Sequence, residues 1–253
     1  MKYKLLVTDI DGTLTENDGT IAKKTIDAIK AVVNSGKYVV LASGRPFVGT
    51  MSLRESLGLH GMPTICQNGS VVVDKDGKII EKYVLADHLS PCIAGKENGC
   101  SVIAWCGDKL FCEKYDDQVK EYEKISTIPP IICNFGELKD VTKVLLISAP
   151  EETSRLEKLL QSECYACHRS RKNFLEFVSK NASKGNALET IARSLGIAIE
   201  ETVALGDGMN DISMLKKAGL GVAVKNASKT VKENADTVID SDVGDFILEI
   251  MFS

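Results

Sequence analysis

Residues 5–14 read LLVTDIDGTL, an apolar run that leads directly into two aspartates, Asp9 and Asp11. The apolar run predicts a short buried strand, and the aspartates lie on the loop that leaves it. Alternate residues of an extended segment point to the same side, so both carboxylates can reach one site. In an α/β sheet, ligands bind at this carboxyl end of the strands. The stretch therefore predicts an α/β fold, with Asp9 as nucleophile and metal ligand and Asp11 as acid/base group.

The size and charge of the chain limit the kinds of protein it can be. Its 253 residues, 44% of them hydrophobic, can bury the core of one large domain or of two smaller ones. The net charge of −4 argues against a general nucleic-acid binder, which would carry a basic excess. No apolar run approaches membrane-spanning length, and the residues before Asp9 contain no signal-peptide core. We therefore expect a cytoplasmic protein without nucleic-acid or membrane partners.

The pattern of strands and helices divides the chain into a core and an insertion. Strand-like and helix-like segments alternate over residues 1–83 and again over 183–253, which predicts an α/β core on a parallel sheet with right-handed crossovers. Within the core, we expect a helix from Pro46 to Leu57. Residues 84–182 instead contain strands and helices in an order that predicts a separate α+β domain.

A hydroxyl group and a cation follow the second predicted strand, Val39–Ala42. Ser43, Gly44 and Arg45 lie at its carboxyl end, where a hydroxyl before a helix start suits phosphate binding. Two interpretations remain open for each polar residue. Ser43 either binds phosphate or only caps a helix, and Arg45 either clamps a phosphate or lies in solvent.

Two later segments supply a further cation and further carboxylates. Lys184 stands at a predicted helix start, where it either neutralises a phosphoryl group and the nucleophile or is solvated surface. The segment GDGMND at 206–211 follows a predicted strand, Val203–Leu205. Asp207 and Asp211 are spaced to face one ion at a helix start, or they belong to an ordinary turn. Mg²⁺ prefers a few carboxylates together with water and substrate phosphate oxygens.

Together these segments resemble the haloacid dehalogenase superfamily of phosphotransferases, in the order typical of that family. The insertion between Ser43 and Lys184 resembles its type IIB cap. The segments QNG at 67–69 and GVAVKNA at 221–227 resemble the Cof-type branch of sugar-phosphate phosphatases. The resemblance implies a Rossmann-like, doubly wound parallel sheet with a mobile inserted cap. The motifs that carry it are DIDGTL at 9–14, LASGR at 41–45, SKG at 183–185 and GDGMND at 206–211.

We therefore expect a Mg²⁺-dependent phosphatase that works through an aspartyl-phosphate. Asp9 would attack phosphorus, and Asp11 would protonate the leaving oxygen and then deprotonate the hydrolytic water. The metal would be held by the Asp9 carboxylate, the Asp11 backbone carbonyl and the Asp207 carboxylate, with Asp211 acting directly or through water. The remaining expected site residues are Ser43, Gly44, Lys184 and Asn210 on the phosphoryl oxygens and Arg45 as a further substrate contact.

Rival functions remain open at this stage. A hexose-phosphate mutase of the same superfamily would return the phosphoryl group to a sugar rather than to water. A phosphate-binding regulator would not turn substrate over, although Asp11 is unnecessary for binding alone. We expect a small phosphorylated metabolite as the partner and a monomer or weak homo-oligomer as the assembly. The candidate substrate contacts in the inserted domain are His168, Arg169, Arg171 and Lys172, although plain surface is the favoured interpretation of each.

The segment CYACH at 164–168 allows a third interpretation. It matches the attachment motif of c-type haem, and Cys164, Cys167 and His168 are also three of the four ligands that a zinc site needs. No export signal accompanies the motif. We therefore favour free thiols in a reducing compartment, a thiol pair or a chance match.

Overall fold

The computed structural model describes residues 2–16 and 19–253. Its contacts divide the chain into two compact units. We call the first the core unit, which comprises the described residues up to Glu81 together with Ser183–Ser253. The second, Lys82–Ala182, we call the inserted unit. No helix in the described ranges combines the length and the apolar character that a membrane crossing requires.

The helices and strands alternate along most of the chain. The strands are β1 (Leu5–Thr8), β2 (Tyr38–Ala42), β3 (Thr64–Cys66), β4 (Val71–Val73), β5 (Ile79–Lys82), β6 (Ser101–Cys106), β7 (Lys109–Cys112), β8 (Ile131–Ile132), β9 (Lys143–Ile147), β10 (Tyr165–Arg171), β11 (Phe174–Ser179), β12 (Thr202–Gly206), β13 (Leu220–Val224) and β14 (Thr237–Ile239). The helices are α1 (Lys23–Asn34), α2 (Met51–Ser56), α3 (Leu89–Glu97), α4 (Asp117–Ser126), α5 (Pro150–Leu159), α6 (Lys184–Ser194), α7 (Ile212–Lys217), α8 (Lys229–Lys232) and α9 (Val243–Phe252).

The core unit is built on a twisted sheet with the order β14-β13-β12-β1-β2-β3-β4-β5. The neighbours from β14 to β3 pair in parallel, and β4 runs antiparallel to β3. At the end of β1, Thr8 lies beside Leu41 on one side and Leu205 on the other. The carboxyl ends of β1, β2 and β12 therefore meet at one edge, which is where an α/β sheet places its ligands. The α/β fold predicted from the sequence is confirmed.

The apolar strands explain why this sheet is buried on both faces. Leu5, Leu6 and Val7 are fully buried, and their side chains alternate between two clusters. Leu6 faces the cluster that includes residues of α1 and α9, while Leu5 and Val7 face the one that includes residues of α6 and α7. Full burial of each such side chain stabilises the fold by about 1.5–3 kcal/mol. The central strand is thereby fixed, and with it the loop that carries Asp9.

The helix predicted to begin at Pro46 begins later, so that prediction is wrong. A 3₁₀ turn occupies Val48–Thr50, and α2 starts only at Met51. Glycine and β-branched residues in this turn are weak helix formers. The Thr50 hydroxyl also donates to the Phe47 carbonyl oxygen at 2.6 Å, a local bond that competes with regular helix.

The inserted unit contains a second sheet with the order β10-β11-β9-β6-β7-β8. Its pairs are antiparallel except for β7 and β8, which are parallel. Cys92 of α3 and Leu156 of α5 belong to the apolar cluster on one face, together with Phe177. Val119 of α4 belongs to the cluster on the other face, together with Trp105. Both faces of this sheet are therefore covered by helices.

A buried ion pair joins two neighbouring strands of the second sheet. Lys143 on β9 and Glu176 on β11 are 2% and 5% exposed, and Nζ lies 3.5 Å from Oε1. The Ser170 hydroxyl donates to Glu176 Oε1 at 2.8 Å, and His168 Nε2 lies 4.0 Å from Oε2. Charged groups this deeply buried require such partners.

The positions of the CYACH residues contradict the haem and zinc interpretations. Cys167 packs against the apolar cluster that contains Phe177, whereas His168 faces Glu176 on the other side of the sheet. Burial raises the pKa of the Cys167 thiol to about 12. Cys164 is exposed before the start of β10. Since a strand alternates its side chains, Cys167 and His168 cannot hold one group together.

Candidate active site

Asp9 lies directly after β1, with only 6% of the residue exposed. Its backbone N–H donates to the Leu205 carbonyl oxygen at 3.0 Å, which extends the pairing with β12 by one step. The carboxylate Oδ1 accepts a hydrogen bond from Lys184 Nζ at 2.5 Å. The parallel ladder therefore fixes the backbone of Asp9, and Lys184 orients its side chain.

Lys184 is the first residue of α6 and has no exposed side-chain surface. The preceding residue, Ser183, caps the helix by accepting the Asn186 N–H at 3.0 Å. Lys184 Nζ lies 2.5 Å from Asp9 Oδ1 and 2.6 Å from Asp211 Oδ1. A buried lysine needs such pairing. The interpretation of Lys184 as solvated surface is therefore wrong.

The loop after β12 is organised around Asp211, which is 1% exposed. Its Oδ2 accepts backbone hydrogen bonds from Asp207 at 3.1 Å and Gly208 at 2.8 Å. Asp207 is held in turn by the Thr13 hydroxyl, which donates to its Oδ1 at 2.8 Å. Asp211 thus closes the loop and also pairs with Lys184, a double role that its position four residues after Asp207 allows.

Asp9, Asp207 and Asp211 form a carboxylate cluster. One oxygen of each lies within 4.8 Å of the others, the only such group of metal-ligating side chains found among the described residues. Gly12 has a φ of +93°, and a Cβ there would lie 2.6 Å from Asp207 Oδ2, so the backbone can approach the cluster only at a glycine. Converging carboxylates at a strand end are the donor set that Mg²⁺ accepts. The residues therefore fit a Mg²⁺ site.

The electrostatics of the cluster show an excess of negative charge. The pKa of Asp9 is raised to about 7, because burial raises it and Asp211 and Asp207 add to the rise, while Lys184 lowers it only in part. Burial also raises the pKa of Asp207, and Asp211 adds to that rise. At Lys184 burial lowers the pKa, but Asp211 and Asp9 raise it more. Three carboxylates thus share one ammonium, and a bound cation would favour their ionised forms.

The Asp11 carboxylate is hydrogen-bonded to Arg45, whereas Asp9 and Asp211 are bonded to Lys184. Arg45 donates to it from Nε to Oδ2 at 3.0 Å and from Nη2 to Oδ1 at 2.5 Å. The two side chains are 51% and 40% exposed, so the pair lies at the surface of the site. Neither interpretation of Arg45 from the sequence included this two-bond contact.

Ser43 and Gly44 follow β2 at the same edge of the sheet. Ser43 is 1% exposed, and its Oγ accepts the Arg45 N–H at 3.2 Å. No helix begins there, since α2 starts at Met51, so the interpretation of Ser43 as a helix cap is wrong. A Cβ on Gly44 would lie 3.3 Å from Asn68 Oδ1, which makes this a close approach between two loops.

Asn210 lies in the 3₁₀ turn Met209–Asp211, and α7 follows it. Its Nδ2 donates to Asn68 Oδ1 at 2.9 Å, which leaves one amide hydrogen for another acceptor. Reasoning from the residues alone missed Asn68 and also Asn226, whose Nδ2 donates to the Gly12 carbonyl oxygen at 2.7 Å. Both follow strand carboxyl ends, of β3 and β13, so the rule that identified Asp9 could have found them.

Comparison with known proteins identifies the family. The chain matches the haloacid dehalogenase-like hydrolases over residues 6–251. It is 29% identical to the 5-amino-6-(5-phospho-D-ribitylamino)uracil phosphatase YcsE of Bacillus subtilis, over 96% of this chain and 92% of that protein. A haloacid dehalogenase-like hydrolase from Bacteroides thetaiotaomicron superposes with a TM-score of 0.86 at 28% identity, covering 98% of this chain and 100% of the other. A Thermotoga maritima structure gives a TM-score of 0.84 at 31% identity, with 98% and 97% covered. The resemblance seen in the four motifs is confirmed: the chain belongs to the haloacid dehalogenase-like hydrolases.

Proposed function

We propose that this hydrolase is a Mg²⁺-dependent phosphatase that cleaves small phosphate monoesters through an aspartyl-phosphate on Asp9. Its family and its phosphatase relatives make it a phosphoric monoester hydrolase. One observation carries the finer proposal: the Asp9 carboxylate lies at a strand end, inside a carboxylate cluster and 2.5 Å from a fully buried lysine. A nucleophile, a fixed cation and a metal donor set are thereby brought together.

In the first step, an Asp9 carboxylate oxygen attacks phosphorus, and the bond from phosphorus to the ester oxygen breaks. Lys184 favours the ionised form of Asp9 that this attack needs, because the ammonium offsets part of the rise in pKa that burial causes. Asp11 protonates the leaving oxygen. Electrostatic positioning of this kind supplies most of the catalysis in phosphoryl transfer.

In the second step, Asp11 takes a proton from water, which attacks phosphorus and releases the Asp9 carboxylate and inorganic phosphate. In the free enzyme Arg45 holds Asp11 through two hydrogen bonds. A substrate phosphate competes for that guanidinium, which suits bidentate binding of oxyanions. Asp11 is then free to exchange its proton with the reacting oxygens.

The metal would be held by the carboxylates of Asp9 and Asp207 and the backbone carbonyl of Asp11. When bound, Mg²⁺ supplies positive charge that neutralises the phosphoryl oxygens and the nucleophile. Asp211 acts through water rather than directly, because its oxygens already accept hydrogen bonds from Lys184 and two backbone N–H groups. The phosphoryl oxygens are bound by Ser43, Gly44, Lys184 and Asn210.

The inserted unit acts as the cap that reads the leaving group and excludes water. The support for this role is the resemblance of the insertion to the family's cap. The substrate is a small phosphorylated metabolite, such as a sugar phosphate. The name of the Bacillus subtilis relative, a phosphatase of a phosphoribityl compound, supports that class. The enzyme works in the cytoplasm as a monomer or weak homo-oligomer.

The test is phosphate release from a panel of phosphorylated sugars, nucleotides and pyridoxal phosphate, with and without Mg²⁺. Wild type and Asp9→Asn are compared under the same conditions. We expect release that requires Mg²⁺ and disappears in the variant, because an amide is not a nucleophile here. An isomerised sugar phosphate without free phosphate would show a mutase instead. Phosphate binding without turnover would show a regulator.

A further inference from the structure

The turn that follows β3 has an unusual backbone. Gln67, Asn68 and Gly69 are consecutive, and all three have positive φ angles, of 49°, 57° and 93°. All three residues are also buried. Side chains other than glycine rarely adopt this left-handed region. Such a conformation persists only where the surrounding structure holds it, and it clusters at functional sites.

One side of the turn is bonded to the loop after β2. The Asn68 N–H donates to the Ser43 carbonyl oxygen at 3.0 Å, and the Gln67 N–H donates to the Arg45 carbonyl oxygen at 2.9 Å. Two successive N–H groups of the turn therefore bond to one neighbouring loop. The turn thus fixes the backbone on either side of Gly44.

The other side of the turn meets two more segments of the site. Asn210 Nδ2 donates to Asn68 Oδ1 at 2.9 Å, across 142 positions of sequence. A Cβ on Gly69 would collide with the carbonyl oxygen of Ser183, the residue before Lys184. Only a glycine therefore lets the turn lie against the start of α6. Ser43 follows β2, Asn210 follows β12 and Lys184 begins α6, so the three proposed phosphate-binding residues belong to separate segments. The turn contacts all three segments.

We propose that the turn, with Asn68 at its centre, positions Ser43, Lys184 and Asn210 relative to one another so that they bind one phosphoryl group. The inference rests on the proposed function, since it assigns those residues to phosphate. Asn68 is a positioning residue: its side chain acts through Asn210, and its backbone N–H holds Ser43. Small displacements of such groups matter, because a misplacement of about 1 Å can lower a rate about a hundredfold.

The experiment replaces Asn68 with glycine, which tolerates the left-handed backbone and removes only the side-chain amide. Thr127 is the matched control, since it has a φ of 59° at the end of α4, in the inserted unit. Asn68→Gly and Thr127→Gly are compared with wild type in Mg²⁺. The measurements are p-nitrophenyl phosphate turnover, calorimetric binding of inorganic phosphate and the thermal midpoint. We expect Asn68→Gly to weaken phosphate binding about tenfold and to lower kcat/KM at least as much. Thr127→Gly should keep the turnover and the phosphate affinity of wild type.

A double variant separates positioning from a merely structural role. If Asn68 acts through Asn210, adding Asn68→Gly to Asn210→Ala lowers phosphate affinity less than it does in wild type, because coupled residues are not additive. Wild-type phosphate affinity in a folded Asn68→Gly, or fully additive losses in the double variant, would overturn the proposal. If Asn68→Gly does not fold, Asn68→Ser takes its place, since it removes the same amide and keeps a short polar side chain that can bond to the local backbone.

The same measurements distinguish failure of this inference from failure of the proposed function. A wild-type protein that binds phosphate but releases none from substrate would refute the phosphatase, and the binding comparison would still decide the role of Asn68. A wild-type protein that turns substrate over while Asn68→Gly matches it would refute only the positioning turn. A wild-type protein that binds no phosphate in Mg²⁺ would refute both.

Discussion

Lys184 Nζ lies 2.5 Å from Asp9 Oδ1, and the lysine side chain has no contact with solvent. The same nitrogen lies 2.6 Å from Asp211 Oδ1, so one ammonium joins the start of α6 to two other loops. Burial lowers the pKa of Lys184, but Asp211 and Asp9 raise it more, and its pKa lies above the usual value. The lysine therefore stays charged while it orients the proposed nucleophile. This single contact joins separate segments of the fold, and in the proposed mechanism it also orients the nucleophile.

Lys184→Met should destabilise the metal-free protein strongly. The change leaves the buried carboxylates of Asp9 and Asp211 without their cation, and removal of one partner from a buried ion pair costs about 3–5 kcal/mol. Urea unfolding in the presence of a chelator measures this loss.

Lys217→Met is the control for that change. Lys217 also pairs with a carboxylate, Glu189 at 2.5 Å, but the two side chains are 34% and 51% exposed. Pairs of that kind contribute about 0–1 kcal/mol. Equal losses in the two variants would contradict the account of Lys184.

Addition of Mg²⁺ should change which protein is the more stable, Asp207→Asn or wild type. Without metal, the neutral amide avoids the cost of burying a charge and the repulsion from Asp211, which together raise the pKa of Asp207, so the variant should be at least as stable as wild type. With Mg²⁺, wild type gains stability because the ion binds the native state, and the variant gains little. Thermal midpoints with and without Mg²⁺ test this.

Asp240→Asn serves as the comparison for the metal response, since Asp240 is exposed and lies outside the carboxylate cluster. It should show the full wild-type shift on Mg²⁺ addition. A full shift in Asp207→Asn as well would refute the assignment of the metal site.

The Lys143–Glu176 pair should stabilise the inserted unit only between an acidic and an alkaline pH limit. Burial raises the pKa of Glu176, but Lys143 and His168 lower it more, to below its ordinary value of 4.5. Its contribution is therefore present above pH 4.5 and is lost as the pH falls through the lowered pKa. For Lys143, burial lowers the pKa, but Glu176 and Tyr122 raise it above 10.5. That contribution is present below pH 10.5 and is lost at higher pH.

Glu176→Gln tests this window. Near neutral pH the variant should lose about 3–5 kcal/mol of unfolding free energy, because the buried Lys143 loses its carboxylate counter-charge. Its stability should also fall less steeply in acid than that of wild type. Glu163→Gln is the control, since Glu163 pairs with Lys180 but is itself fully exposed. Acid unfolding curves of the same steepness in Glu176→Gln and wild type would contradict the prediction.

The positions of many candidate site residues could be predicted, because a short stretch of sequence is enough to predict each strand and the loop that follows it. An apolar run followed by Asp9, Ser43 or Asp207 reads as a strand with a functional loop, and the parallel register then brings the three loop starts to one edge. The α/β fold follows from the same alternation of strands and helices. Those parts required no knowledge of which side chains touch.

The parts that could not be predicted depend on tertiary contacts. Nothing in the sequence around Lys184 shows that it is buried, since its partners Asp9 and Asp211 are distant in sequence. The pairing of Arg45 with Asp11 and the link from Asn210 to Asn68 likewise join separate loops. Local propensity decided the late start of α2, and the expectation from proline alone failed there.

The central claim is a covalent phosphoryl group on Asp9, and Asp11→Asn allows it to be trapped. p-Nitrophenyl phosphate releases p-nitrophenolate, a good leaving group that needs no proton donor, so the variant should still transfer the phosphoryl group to Asp9. The variant lacks the base that activates water, so the phosphoryl group should stay on Asp9. After an acid quench, mass spectrometry should find one phosphoryl group on the peptide that contains Asp9, and none in the Asp9→Asn/Asp11→Asn variant. A wild-type enzyme that turns substrate over while Asp11→Asn carries no phosphoryl group at Asp9, or carries it elsewhere, would contradict the mechanism.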